Sequence, residues 1–145
     1  MAGTSSTPVF VKDGQYLSRT ADAAITLGQV VEITATGTDT CAVGTVCDHA
    51  TVYLGVAVGG DRFSRTSTDD SIAAGAKVTI CTRGIVRVYT DTSAILVGSR
   101  LEAAANGTVS LYGTVTSETY IDSLGIALDA NGGAATTIRM QLRLI

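Results

Sequence analysis

Tryptophan is absent from this chain, proline and histidine occur once each, and aromatic residues fill only 5% of its 145 positions. With so few rings, a deep ligand pocket walled by aromatic side chains is not expected. A single histidine, His49, leaves little for general acid–base chemistry. Charged residues reach only 16% and the net charge is −3, so there is no basic footprint for direct nucleic-acid binding. No stretch approaches the roughly 20 apolar residues that cross a bilayer. The opening MAGTSSTP carries neither a charged leader nor an apolar run of signal-peptide length. Three cysteines, Cys41, Cys47 and Cys81, are an odd number; they are expected as free thiols in a reducing cytoplasm, packed as small core residues.

What the chain does have is small residues and a repeat. Hydrophobic residues make up 46% of it, mostly alanine and valine, enough for one domain that buries about two-thirds of its unfolded surface. Residues 9–58 align with residues 79–128, and about 12 of some 50 positions are identical without a gap. Gly14 maps to Gly84, Thr20 to Thr90, Ala24-Ile25 to Ala94-Ile95, Gly28 to Gly98, Glu32 to Glu102 and Gly37-Thr38 to Gly107-Thr108. Leu54-Gly55-Val56-Ala57-Val58 maps to Leu124-Gly125-Ile126-Ala127-Leu128. Glycines and aliphatics repeat, but no catalytic cluster repeats with them. The expected organisation is an arm over residues 1–8 and one β domain over 9–145.

Period-two alternation marks strands. Ile138, Met140, Leu142 and Leu144 lie on one face of the C-terminal segment; Thr137, Arg139, Gln141 and Arg143 lie on the other. Val78 and Ile80 alternate with Lys77 and Thr79, Val86 and Val88 with Arg87 and Tyr89, and Val31 and Ile33 flank Glu32. Asp13-Gly14 and Asn106-Gly107 are tight-turn dipeptides, which also makes the sequon Asn106-Gly107-Thr108 a turn. Gly55 and Gly125, inside their strands, predict a bulge or a close backbone approach. Ser99 to Ala105 has high helix propensity, yet its counterpart, Gln29 to Ala35, is β-branched. Two copies of one unit share a backbone, so both are expected as strands. Many short strands with glycine-rich turns indicate an all-β fold, a compact sandwich or barrel of jelly-roll type, built from two similar units.

The search for chemistry returns little. The spacing Cys41-x5-Cys47-x-His49 matches no common zinc pattern, and Leu111, Ser117 and Thr119 hold the aligned positions. Asp48 adjoins His49, but there is no nucleophile elbow and no phosphate-binding loop. No catalytic residue, cofactor or metal is assigned. Loops and arms carry contacts more often than strands do, so the loop with Arg62, Phe63 and Arg65 is a candidate partner surface. So is the end of the arm, Val9, Phe10 and Val11. Arg139 and Arg143 share a strand face and form a third candidate, since arginine is enriched at protein interfaces.

The runs Ala24 to Val31, Leu54 to Ala57, Gly75 to Ile80 and Thr82 to Val86 resemble the capsid cement, or head decoration, proteins of tailed bacteriophages. Leu124 to Leu128 followed by Thr137 to Leu142 is similar to the way these proteins end. The resemblance covers nearly everything from Phe10 onward, although Val9 to Arg19 and the 59–76 loop depart from it. It implies a non-enzymatic structural virion protein on the exterior of an icosahedral head, assembled in the host cytoplasm. Its expected partners are the major capsid protein and further copies of itself, as a dimer or trimer, with no direct contact to nucleic acid or membrane. No functional residue carries over. An arm can add a strand to a neighbour's sheet edge, so removing residues 1–12 is expected to spare the fold and abolish shell binding. Alternatives are a tail-tube, fibre or other virion subunit, and, fitting less well, a β-sandwich enzyme or carbohydrate-binding domain.

Overall fold

A computed structural model describes residues 11–34, 39–43, 53–60, 70–113 and 123–143, with the side chains of 11–13 excepted. The described chain is almost entirely strand, as its alternation predicts: β1 (Val11–Ala21), β2 (Ile25–Thr26), β3 (Val30–Ile33), β4 (Thr40–Val43), β5 (Tyr53–Gly60), β6 (Ser71–Ile72), β7 (Lys77–Tyr89), β8 (Arg100–Ala103), β9 (Val109–Leu111), β10 (Ser123–Ala127) and β11 (Thr137–Arg143). The segment with high helix propensity is strand β8, followed by a single 3₁₀ turn at Ala105–Gly107 in which Asn106 takes the left-handed conformation, φ 59°.

Nine strands join in the order β1-β4-β3-β5-β7-β11-β10-β8-β9. An additional β1–β7 pairing closes the first five of them into a barrel. Beyond it, β7 continues. Its first part, Val78 to Cys81, pairs with β5, and its second, Arg83 to Tyr89, pairs with β11. From there β10, β8 and β9 extend the sheet, and a parallel bridge between Thr90 and Val109 brings β9 back against the end of β7.

Pairing in the two strand sets recurs in detail. Val30, Val31 and Glu32 face Val56, Gly55 and Tyr53, with a bulge after Val31. Arg100, Leu101 and Glu102 face Ile126, Gly125 and Ser123, with the bulge in the same place. Each partner is displaced by 70 positions. Turn hydrogen bonds keep the same displacement: Gly28 N–H to Ala57 O and Gly98 N–H to Ala127 O are both 2.8 Å. Elsewhere the displacement changes. Asp22 N–H donates to Cys41 O, and Asp91 N–H donates to Val109 O, which aligns Asp22 with Asp91 and Cys41 with Val109. The repeat is therefore not gapless: the second copy has one extra residue before Ile95 and two fewer in the β8–β9 hairpin, which corrects the matching of Thr20 with Thr90 and of Cys41 with Leu111. Cys81 lies opposite Val56 and Gln141 opposite Ile126, so the connection after β10 is ten residues shorter than the one after β5.

Both strand glycines sit where another backbone passes. A Cβ on Gly55 would come within 2.0 Å of Cys81 O, and one on Gly125 within 2.1 Å of Gln141 O. Two cores result. Ala21, Ile25, Leu27, Val31, Ala57, Ile72, Val78 and Ile80 fill the first barrel; Ile95, Leu101, Leu124, Ala127, Ile138, Met140 and Leu142 belong to the second core. Val30, Val56, Val58 and Cys81 lie on strands of the first set yet pack in the second core, so both faces of that part of the barrel are apolar. The positions aligned with Val30 and Cys81 are Arg100 and Gln141, neither of them buried. Arg100 lies over the Tyr112 ring, 4.4 Å from its centre, on a face with nothing to cover it among the described residues.

Candidate functional site

Among the partner-binding candidates, Val9, Phe10, Arg62, Phe63 and Arg65 lie outside the described residues. The backbone of Val11 is opposite Val86 in the β1–β7 pairing, and Lys12 opposite Ile85. Any arm that reaches out to a neighbour therefore starts before Val11.

Arg139 and Arg143 both stand on β11, as the alternation required. Arg139 is held within the chain: Nη2 donates to Asp129 Oδ1 at 2.7 Å, Nε to Oδ2 at 3.0 Å, and its backbone N–H to Oδ2 at 2.9 Å. These bonds from Arg139 pull the Asp129 carboxyl down to about 2. The pair remains partly solvated. Arg143 is exposed at the end of the strand, opposite Arg83. Two arginines on neighbouring strands make a small cationic edge.

A hollow of about 490 Å³ lies between the two strand sets, lined by Thr26 and Gln29 from one side and by Tyr89, Asn106, Thr108 and Thr136 among those from the other. Gln29 Nε2 donates to Asn106 O across it, at 2.9 Å. Burial pushes the Tyr89 phenol up, and Asp70 adds to the shift. The lining offers hydroxyl and amide groups and contains no histidine, carboxylate or thiol. It can form hydrogen bonds, but it holds no nucleophile–base pair. Cys41 and Cys81 are free and buried, and burial raises both thiols, which suits packing rather than reactivity. Among the described residues no group of histidine, cysteine and acidic side chains could hold a metal, and His49 is outside them.

The reading of the residues missed two features. Asn131, in the loop after β10, is 6% exposed and organises the turn that precedes β8. Its Oδ1 accepts from Ile95 N–H at 3.0 Å, and its Nδ2 donates to Ser93 O at 2.7 Å and Asp91 O at 3.2 Å. The second feature is the adjacent pair Leu96 and Val97, each 68% exposed. The signal for it was in the alignment, where Leu96-Val97 answers Thr26-Leu27 while the connection after β10 is shorter than the one after β5.

The sequence model of a family described as "Phage cement protein" matches residues 11–142. None of the curated proteins matches the chain. Among solved structures, the chain is similar to the base of the head fibre gp8.5 of bacteriophage phi29, with a TM-score of 0.52 and 10% identity over 89% of this chain and 93% of that one. At that identity the likeness is one of fold.

Proposed function

The chain belongs to the phage cement protein family, a structural protein of the virion bound to the capsid, and on that premise we propose that it grips the outer surface of an icosahedral head and bridges neighbouring capsomers. The family match over residues 11–142 carries this reading. A cement must be stiff, must hold more than one subunit, and needs no chemistry. Two cores joined through one long strand supply the stiffness. The proposed partners are the major capsid protein and a second or third copy of the chain. Arg62, Phe63 and Arg65 in the 59–76 loop, with Arg139 and Arg143, are the proposed shell contacts. Residues 1–8, continued by Val9 and Phe10 up to the start of β1 at Val11, form the proposed arm of a domain over 9–145 built from two like units. Joining copies by arms multiplies weak shell contacts into durable attachment.

The test is sedimentation of the purified protein with isolated heads of its own phage stripped of it, followed by heating with and without it. Saturable co-sedimentation and a higher temperature of DNA release are expected. A protein that stays in the supernatant and leaves that temperature unchanged would falsify the proposal.

A further inference from the structure

The chain carries, in its first half, its own template for covering one edge and, in its second half, the same edge uncovered. Strand β2 is the covered case. Ile25 and Thr26 pair with Ile72 and Ser71 of β6, and Leu27 N–H donates to Asp70 O at 2.9 Å. Under that strand Ile25, Leu27 and Ile72 are fully buried. The aligned turn has the same internal hydrogen bonds. Thr26 N–H donates to Gln29 Oε1 and Leu96 N–H to Ser99 Oγ; Gln29 N–H donates to Thr26 O at 3.1 Å and Ser99 N–H to Leu96 O at 3.0 Å.

The connection that supplies β6, however, is ten residues shorter after β10. Asn131 replaces only the first rung, exchanging hydrogen bonds with Ile95 in both directions. The next rung is missing. Val97, aligned with the buried Leu27, is 68% exposed beside the equally exposed Leu96, and its N–H has no partner among the described residues. An apolar side chain and an unmet backbone donor side by side are what an added strand satisfies together.

We propose that the Leu96–Val97 edge receives the N-terminal segment of a second copy of this chain, Thr7 to Phe10, in the place that Asp70 to Ile72 occupies over β2. This rests on the self-association proposed above and names its contact. Two observations select the occupant. The ten residues before Val11 lie ahead of β1 and end in the apolar pair Val9-Phe10 after the polar Ser5-Ser6-Thr7. A proline disfavours helix in the residue before it and pairs poorly in a sheet centre, so a sequence containing Pro8 suits a short strand on an edge. The start of β1 also lies at a suitable end of the molecule. β1 begins at the Val11–Val86 pair and runs antiparallel to β7, so Val11 sits toward the Tyr89 end of β7, from which the 91–98 turn departs. Contact of an arm on one copy with an edge on the next closes either by reciprocal exchange in a dimer or around a ring.

The test is sedimentation velocity of the full chain over a concentration series, beside two variants: one lacking residues 1–10, and the double variant Leu96→Asp with Val97→Asp. Circular dichroism reports whether each is folded, and both altered residues are exposed. Wild type is expected to associate, and each variant to do so at least tenfold more weakly. An equimolar mixture of the two, one with an intact edge and the other with an intact arm, is expected to recover a one-to-one pair. A peptide of residues 1–11 should bind the truncated chain and not the edge variant. A monomeric wild type, a truncated chain that associates like wild type, or a mixture that stays monomeric overturns the proposal. So does an edge variant that still self-associates but no longer sediments with heads, which would make the shell the occupant. No heads are present in the association measurement, so its failure leaves shell binding standing, and failed shell binding leaves it untouched.

Discussion

At the scale of single residues, the polar groups that matter are those tied across long sequence distances. Asp129 and Arg139 give the clearest prediction. The Asp129 carboxyl is held at about 2, against an ordinary value of 3.8, chiefly by the Arg139 side chain. A depressed carboxyl contributes stability that is fully present above its unfolded value and lost as pH falls through the folded one. Between pH ~4 and ~2 wild type should therefore lose more stability than Asp129→Asn, which has no proton to take up there. Urea melts at pH 6, 4 and 2.5 measure this, and equal acid slopes for the two proteins would refute it. Alternation placed Arg139 opposite the apolar face of β11, but it could not supply a partner ten residues back across a turn. Asn131 was harder still. A turn asparagine and a buried one look alike in sequence, and only the partners at Asp91, Ser93 and Ile95 separate them.

At the scale of elements, strand identity was legible because inward and outward residues alternate. The segment around β8 shows why local propensity is the weaker guide. Its Leu-Glu-Ala run favours helix, yet its backbone groups are taken by β9 on one side and β10 on the other, and pairing on both edges outweighs a few tenths of a kcal/mol per residue. The glycines in β5 and β10 were read as places of close approach, and the approach is to a carbonyl oxygen of the next strand. A backbone oxygen in a ladder cannot swing aside as a side-chain end can. Gly125→Ala, in a strand whose φ is not unusual, should then cost about 2–3 kcal/mol through overpacking. Denaturant titration checks it, and a loss under 0.5 kcal/mol would show that β10 and β11 can part freely.

Across the whole molecule, β7 is the piece that makes two cores one body. Val78 and Ile80 enter the first core, while Val86 and Val88 enter the second, along one unbroken strand of 13 residues. Val30, Val56 and Val58 then bury the outer face of the first barrel in the second core. Unfolding should follow one transition, the same by far-ultraviolet dichroism and by tyrosine fluorescence. Ile80→Ala and Leu142→Ala, one in each core, should each shift that whole transition by about 2–5 kcal/mol. Two separable transitions, each moved by only one of the substitutions, would show that the cores are independent.

Composition and alternation alone determined that this chain is a β protein with a small-residue core, because those properties follow from side chains and their period. The family was also legible, through short runs of glycine and aliphatics. Tertiary structure decided which face of each strand is doubly covered and which turn is left bare. Leu27 and Val97 are both aliphatic residues before an aligned glycine, yet one is buried and the other open to solvent. The difference lies in a connection long enough to lay β6 over the first turn and too short to reach the second. Burial of that kind belongs to whatever lies across the gap, and no residue carries it in its own identity.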